Sequence, residues 1–209
     1  MNIIKEDYLN DPCRASSIPY WKAMTINVPD GMKIVHNAEY NAEVYADYLD
    51  EPYFRLRHDL CDLQAQVLPE GCSVCEASLE EYAAHINSCY DSECVTEAEL
   101  ANYTKRSVYD ADLWMAVREE HTGEIVATGI AELDNEMGEG ILEWIQVSEA
   151  HRGRGLGSYI VNGLLHRMKG KVEFATVSGR CNNPAKPELL YRKCGFIGSD
   201  IWHILRKQQ

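Results

Sequence analysis

Ile141-Leu-Glu-Trp-Ile-Gln-Val147, Ser148-Glu-Ala-His151, Arg152-Gly-Arg-Gly-Leu-Gly157 and Ser158-Tyr-Ile-Val-Asn-Gly-Leu-Leu-His-Arg-Met-Lys169 read in turn as a strand, a turn, a glycine-rich loop and a helix. The helix sets Leu156, Ile160, Leu164 and Met168 in register, backs them with Val161 and Leu165, and stops at Gly170. A loop of this kind entering a helix is an anion site. The first helical N–H groups have no internal partners and lie at the positive end of the dipole. Gly155 and Gly157 remove the Cβ atoms that would hold a phosphate away, and Arg152 and Arg154 add charge and donors. Two nucleotide loops compete for this reading and fit poorly. The Lys-Ser/Thr ending of a Walker loop is absent, and Ser158 stands where a dinucleotide fingerprint needs Gly.

Outward from this stretch the chain alternates elements. Upstream, Cys72–Glu76 reads as a strand. Ser78-Leu-Glu-Glu81 and Thr96-Glu-Ala-Glu99 are capping boxes that each start a helix, the second with Val95 and Leu100 as its staple. Strands follow at Leu113–Arg118 and Glu124–Glu132. Downstream come a strand at Val172–Val177, a short helix at Pro187–Cys194, and an apolar stretch Phe196–Leu205 around a Gly198-Ser199 turn. Pro69-Glu70-Gly71 is the boundary signal: residues 1–71 form an N-terminal extension and residues 72–209 a mixed α/β domain. Within the extension, strands are expected at Lys33–His36 and Tyr53–Leu56 and a helix at Ala42–Leu49. A lid and a homodimer contact are both open to it.

The stretch resembles the GNAT superfamily of N-acetyltransferases. Its signature, Arg or Gln-x-x-Gly-x-Gly or Ala after an apolar strand, appears as Arg152-x-x-Gly155-x-Gly157. A second family feature appears as Leu190-Tyr-Arg-Lys-Cys-Gly-Phe196. The resemblance implies a mostly antiparallel twisted sheet flanked by helices, with the strand ending at Val147 splayed from Val172–Val177 around acetyl-coenzyme A. Main-chain groups along Ile145, Gln146 and Val147 would meet the pantetheine arm. The segment Arg152, Gly153, Arg154, Gly155, Leu156, Gly157 and Ser158 would hold the pyrophosphate. Tyr191 takes the position of the acid that protonates the leaving thiolate. The family places Asn seven residues before this tyrosine. Here that is Pro184, and Asn183, one residue earlier, is the candidate contact to the cofactor arm.

Acetyl transfer to an amine also needs a base, and Glu143 is the choice, because in an unbroken strand it shares parity with Ile145 and Val147. Glu132 and Asp134 are its substitutes. The runner-up reading is a catalytically silent acyl-coenzyme A sensor or structural module.

Composition narrows the partners. The net charge is −13, with 45% hydrophobic and 25% charged residues. The first 140 residues carry net −19 and the last 69 net +6. The acidic part disfavours nucleic acid, while the basic part suits a phosphorylated cosubstrate. A rim of Glu80, Glu81, Glu97, Glu99, Asp134, Glu136 and Glu139 points to a small cationic amine as acceptor. The acidic start Met1-Asn-Ile-Ile-Lys-Glu-Asp and the lack of any 18-residue apolar run predict a cytoplasmic protein without a membrane span. The eight cysteines are then expected as thiols. Cys72-x-x-Cys75 with Cys89-x4-Cys94 lacks zinc-ribbon spacing, and no metal is expected.

Overall fold

The computed structural model describes residues 3–90 and 94–208; Met1 and Asn2, part of the acidic start from which a cytoplasmic protein is expected, lie outside the described residues, as do 91–93 and 209. Its helices are α1 (Lys5–Asn10), α2 (Pro12–Ala15), α3 (Tyr20–Ala23), α4 (Leu79–Cys89), α5 (Glu97–Tyr103), α6 (Leu156–Met168) and α7 (Pro187–Lys193). Its strands are β1 (Met32–His36), β2 (Tyr48–His58), β3 (Cys72–Cys75), β4 (Trp114–Glu119), β5 (Ile125–Asp134), β6 (Glu139–Val147), β7 (Phe174–Arg180) and β8 (Ile197–Lys207). The chain forms two compact units: Asp59–Ala175 with Lys193–Gly195, and Met1–His58 with Thr176–Arg192 and Phe196–Gln209. Both are mixed α/β, with mostly antiparallel pairing.

In the first of these units the strand order is β6-β5-β4-β3, antiparallel throughout. Both capping boxes close as the sequence predicts. The Ser78 hydroxyl accepts from the Glu81 N–H at 3.2 Å, and the Ser78 N–H donates to the Glu81 carboxylate at 2.8 Å. Thr96 and Glu99 repeat the pattern at 3.2 and 2.8 Å. Each cap is worth about 1 kcal/mol. The caps aim α4 and α5 so that Tyr82, Ala83, Ile86 and Leu100, with Val95, form one core with Ala116 and Ile130 of the sheet. Helix α6 covers the opposite face, since neighbouring strand residues point to opposite sides. It approaches closely because Gly129 and Gly140 lack side chains: a Cβ at Gly129 would overlap Ile160, and one at Gly140 would overlap Met168.

In the other unit β1 and β2 both pair antiparallel with β8, and β7 lies on the far side of β2. Strands at 33–36 and 53–56 are therefore present, the second inside a longer β2. The helix expected at Ala42–Leu49 does not form; turns occupy this stretch and β2 begins at Tyr48. Asn41 explains the difference, since its side-chain oxygen accepts the Glu43 N–H at 2.9 Å and closes a local turn. Tyr40 then stacks on Tyr45 at 5.9 Å, with Lys33 lying 5.4 Å from the Tyr45 ring. The Gly198-Ser199 turn is absent too. Strand β8 runs continuously from Ile197, and Gly198, at φ +124°, sits beside the register shift between Arg55 and Arg57 of β2. Arg55 is fully buried, donating to the Tyr8 hydroxyl at 2.7 Å and the Ser178 hydroxyl at 3.2 Å.

Candidate active site

Strand β6 carries a bulge at the residue proposed as base. Ile130 of β5 faces Trp144, but the next residue, Ala131, faces Leu142, so Glu143 has no opposite number. The bulge resets the alternation. Gly140, before it, faces Met168 of α6, and Ile145, after it, reaches the same side beside Gly129, although the two lie an odd number of positions apart. The parity that an unbroken strand gives Glu143 is therefore interrupted at Glu143 itself, which lies half-buried. Trp144 packs on the α4 side, edge-on to Tyr90 at 5.7 Å, as a core residue.

Past Val147 a single turn, Glu149–His151, leads into the glycine loop. Arg152 donates through Nε to the Val147 carbonyl at 3.3 Å, and among the described residues its guanidinium forms no ion pair. Gly153 and Gly155 hold φ values of +80° and +94°, and no heavy atom lies within 4 Å of where their Cβ atoms would be. Gly155 is the N-cap of α6, with no side-chain cap and no acid in the first turn. The leading amides of this 13-residue helix thus face an open, side-chain-free cradle. Arg154 is used differently from Arg152: its Nη1 donates to Glu119 at 3.0 Å, and His151 Nε2 lies 3.2 Å from the same oxygen. Their contacts, Arg154 first, hold the Glu119 carboxyl below the usual glutamate range. Arg154 anchors the loop to β4, and Arg152 carries the cation left for a ligand.

The family model for the acetyltransferase (GNAT) family matches residues 73–196, more than half the chain and including this loop. The chain belongs to that family. The family's chemistry is the transfer of an acyl group from acyl-coenzyme A. The fold is similar to a GCN5-related N-acetyltransferase from Sphaerobacter thermophilus, at 19% identity and TM-score 0.66, covering 90% of this chain and 63% of that one. It is also similar to a GNAT-family acetyltransferase from Colwellia psychrerythraea, at 16% identity and TM-score 0.57, covering 83% and 64%. A GCN5-related N-acetyltransferase from Kribbella flavida gives 18% identity and TM-score 0.52, covering 94% and 66%. The chain thus spans less than two thirds of the length of each. At these identities the likeness is one of fold. No curated protein sequence matches the chain.

Around the GNAT loop the structure reveals a buried network that the sequence reading missed. His85 of α4 bridges β5 and the turn after β6, with Nδ1 2.9 Å from the Thr128 hydroxyl and Nε2 3.0 Å from the Ser148 hydroxyl. Gln146 donates to the same Thr128 oxygen, so its side chain belongs to this network on the α4 side of the sheet. Ser148 opens the turn into the loop, its carbonyl accepting from the His151 N–H at 2.9 Å. Burial pushes the His85 pKa down to about 4, a backbone hydrogen bond with Val126 working the other way. The imidazole is therefore neutral above pH 4 in the native state, while in the unfolded chain it takes up a proton below about 6.5. Because the unfolded state binds more protons between these values, stability is present above pH 6.5 and is lost as pH falls toward 4. The loss should reach about 3 kcal/mol. Urea unfolding at stepped pH should show this slope in the native protein and a shallower one in His85→Gln; equal slopes would assign the acid sensitivity to other groups.

The remaining candidates sort by what already holds them. Glu132 is buried and receives the Arg106 guanidinium at 2.6 Å. Asp134 is buried and caps its own hairpin, accepting the Glu136 and Met137 N–H groups at 3.0 and 3.2 Å. Glu139, across from Asp134, is fully buried. The acidic rim expected from sequence is accordingly smaller. Asp134 and Glu139 leave it, because they are buried where they pair at the β5–β6 hairpin, and Glu81 and Glu99 are engaged in capping boxes. Ser158, at the start of α6, hydrogen-bonds the buried Cys194 thiol, which burial pushes above its ordinary pKa. In the other unit, Tyr191 of α7 is 6% exposed and packs edge-on to Phe196 at 5.8 Å and tilted on Phe54 at 6.1 Å. Asn183 organises its own turn, its side chain accepting the Ala185 N–H at 2.9 Å. Cys181 is pushed up by burial and remains a thiol. Among the described residues no cluster of three or more His, Cys, Asp or Glu could hold a metal ion, and no helix is long and apolar enough to cross a membrane.

Proposed function

We propose that this protein transfers an acetyl group from acetyl-coenzyme A to a primary amine by direct attack within a ternary complex. The observation that carries the reading is the uncapped, acid-free start of α6 behind Arg152 and two left-handed glycines, in a chain of the GNAT family. A pyrophosphate bound there would accept N–H donors along Arg152–Ser158 and meet the Arg152 charge. Main-chain groups of Ile145 and Val147 would meet the pantetheine arm, and Asn183 is a further candidate contact.

An alkylammonium with a pKa of ~10.4 costs about 4–5 kcal/mol to deprotonate near neutrality. Glu143, at the β6 bulge, would remove that proton. The amine then forms the new C–N bond, the C–S bond breaks, and Tyr191 would supply a proton to the departing thiolate.

A panel of matched neutral and cationic amines, scored by acetyl-coenzyme A-dependent thiol release, tests the reading. Release with at least one primary amine supports it; release with none favours the silent acyl-coenzyme A module. Glu80 of α4 and Glu97 of α5 remain exposed. If they attract a cation, kcat/KM for cationic acceptors should exceed that of neutral ones and fall as salt rises. No preference and no salt dependence would leave the acidic surface a matter of solubility.

A further inference from the structure

A cavity of about 510 Å³ opens at the edge of the sheet in the β3–α4 region. Its cause is a length mismatch between two strands. Strand β3 pairs with β4 only from Cys72 opposite Glu119 to Cys75 opposite Ala116. The chain then leaves to begin α4, so Trp114 and Met115, the first residues of β4, have no β3 partner. The space they leave is lined by Trp114, Met115, Leu79, Tyr82 and Tyr109, with Arg167 of α6. Its volume is that of a small-ligand site, for which ~300–1,000 Å³ is usual. None of these residues is assigned to acyl transfer above.

Two polar side chains line the cavity, Tyr82 and the half-buried Arg167. Tyr82 is 4% exposed, yet its hydroxyl has no hydrogen-bond partner among the described residues. Burial raises its pKa, with the Arg167 charge acting in the opposite direction, so the phenol stays protonated as a donor within reach of that charge. Arg167 gives one N–H to the Asp112 carbonyl and, among the described residues, meets no carboxylate. The other walls are aromatic: Trp114 stands edge-on to Tyr82 at 5.2 Å and to Tyr109 at 5.9 Å. Glu76, at the rim, is exposed to solvent.

We propose that this cavity binds a small carboxylic acid with a flat, apolar body, its carboxylate received by Arg167 and the Tyr82 hydroxyl and its body lying against Trp114 and Tyr109. The Arg167 charge and the Tyr82 donor select an anion, with the Glu76 carboxylate out at the exposed rim, while the rings select a planar body. The aromatic walls and Glu76 would also suit an organic cation, and the test separates the two.

Phenylacetate and phenethylamine, equal in ring and opposite in charge, are titrated into the full chain. Binding is followed at the Trp114 indole N–H resonance, assigned with Trp114→Phe. Alkylation of Cys75, which also lines the cavity, is followed by peptide mapping. Phenylacetate should shift the Trp114 signal, slow Cys75 alkylation and bind about tenfold more tightly than phenethylamine. Tyr82→Phe, which removes one oxygen, and Arg167→Gln should each weaken phenylacetate by about tenfold. Equal binding of the two probes, tighter binding of the amine, or undiminished phenylacetate binding in both variants would overturn the proposal.

Discussion

Replacing Tyr191 with Phe is expected to lower kcat by about 10²–10⁴-fold while coenzyme A affinity stays within about twofold. The substitution removes one oxygen and keeps the ring, so the ring contacts with Phe54 and Phe196 survive. The alkyl thiolate of coenzyme A is a poor leaving group until it is protonated, so loss of a positioned acid acts on the step that breaks the C–S bond. A fall in kcat with KM for acetyl-coenzyme A nearly unchanged is the signature of an interaction made only in the transition state. Thermal unfolding of the variant guards against a packing explanation. Turnover within about twofold of the native rate would make Tyr191 a core tyrosine of α7 and require another proton donor.

The elements around the loop were legible because each carries a local signal. Ser78 and Thr96 announce two helices through capping boxes that depend on four residues apiece, and both boxes close in the structure. Helix α6 is written in its apolar spacing, and Gly170 follows its end. What escaped depends on partners distant in sequence. The bulge at Glu143 arises from pairing between β5 and β6, which nothing in Ile141–Val147 alone reveals. His85 sits one residue from Ile86 on a helix whose inner face was read from its hydrophobes, and its value as a bridge depends on Thr128 and Ser148, 43 and 63 residues away. The acidic rim is smaller than expected for a related reason. Charge can be counted from sequence, but burial cannot, and Asp134 and Glu139 are buried where β5 and β6 pair. In the N-terminal segment a helix is expected over 42–49, but an Asn41 turn and pairing of β2 with β8 prevail, tertiary contact overriding a weak local preference.

Gly157→Asp should weaken coenzyme A binding by about 100-fold or more without destabilising the protein, and that pairing of outcomes makes it the sharper test of the loop. Gly155 is the less useful position: its φ of +94° is one that side chains resist, so any substitution there mixes strain with ligand loss. Gly157 lies inside α6, two residues past the N-cap. Asp in the first turn of a helix is favourable to the dipole, and replacing Gly within a helix lowers the entropy lost on folding. The variant should thus melt at or above the native temperature. The carboxylate that stabilises the empty helix would occupy the same amides that a pyrophosphate needs, and would add like-charge repulsion. Losing two charge-assisted hydrogen bonds at about 1.5–3 kcal/mol each gives at least the stated factor. Gly157→Ala adds a methyl group without charge and should cost far less affinity, while Arg152→Gln should cost about tenfold and flatten the salt dependence of binding. Calorimetric titration with coenzyme A measures all three. Native affinity in Gly157→Asp would mean that the start of α6 is not where the cosubstrate's phosphates sit, and the assignment of Arg152–Ser158 would fall with it.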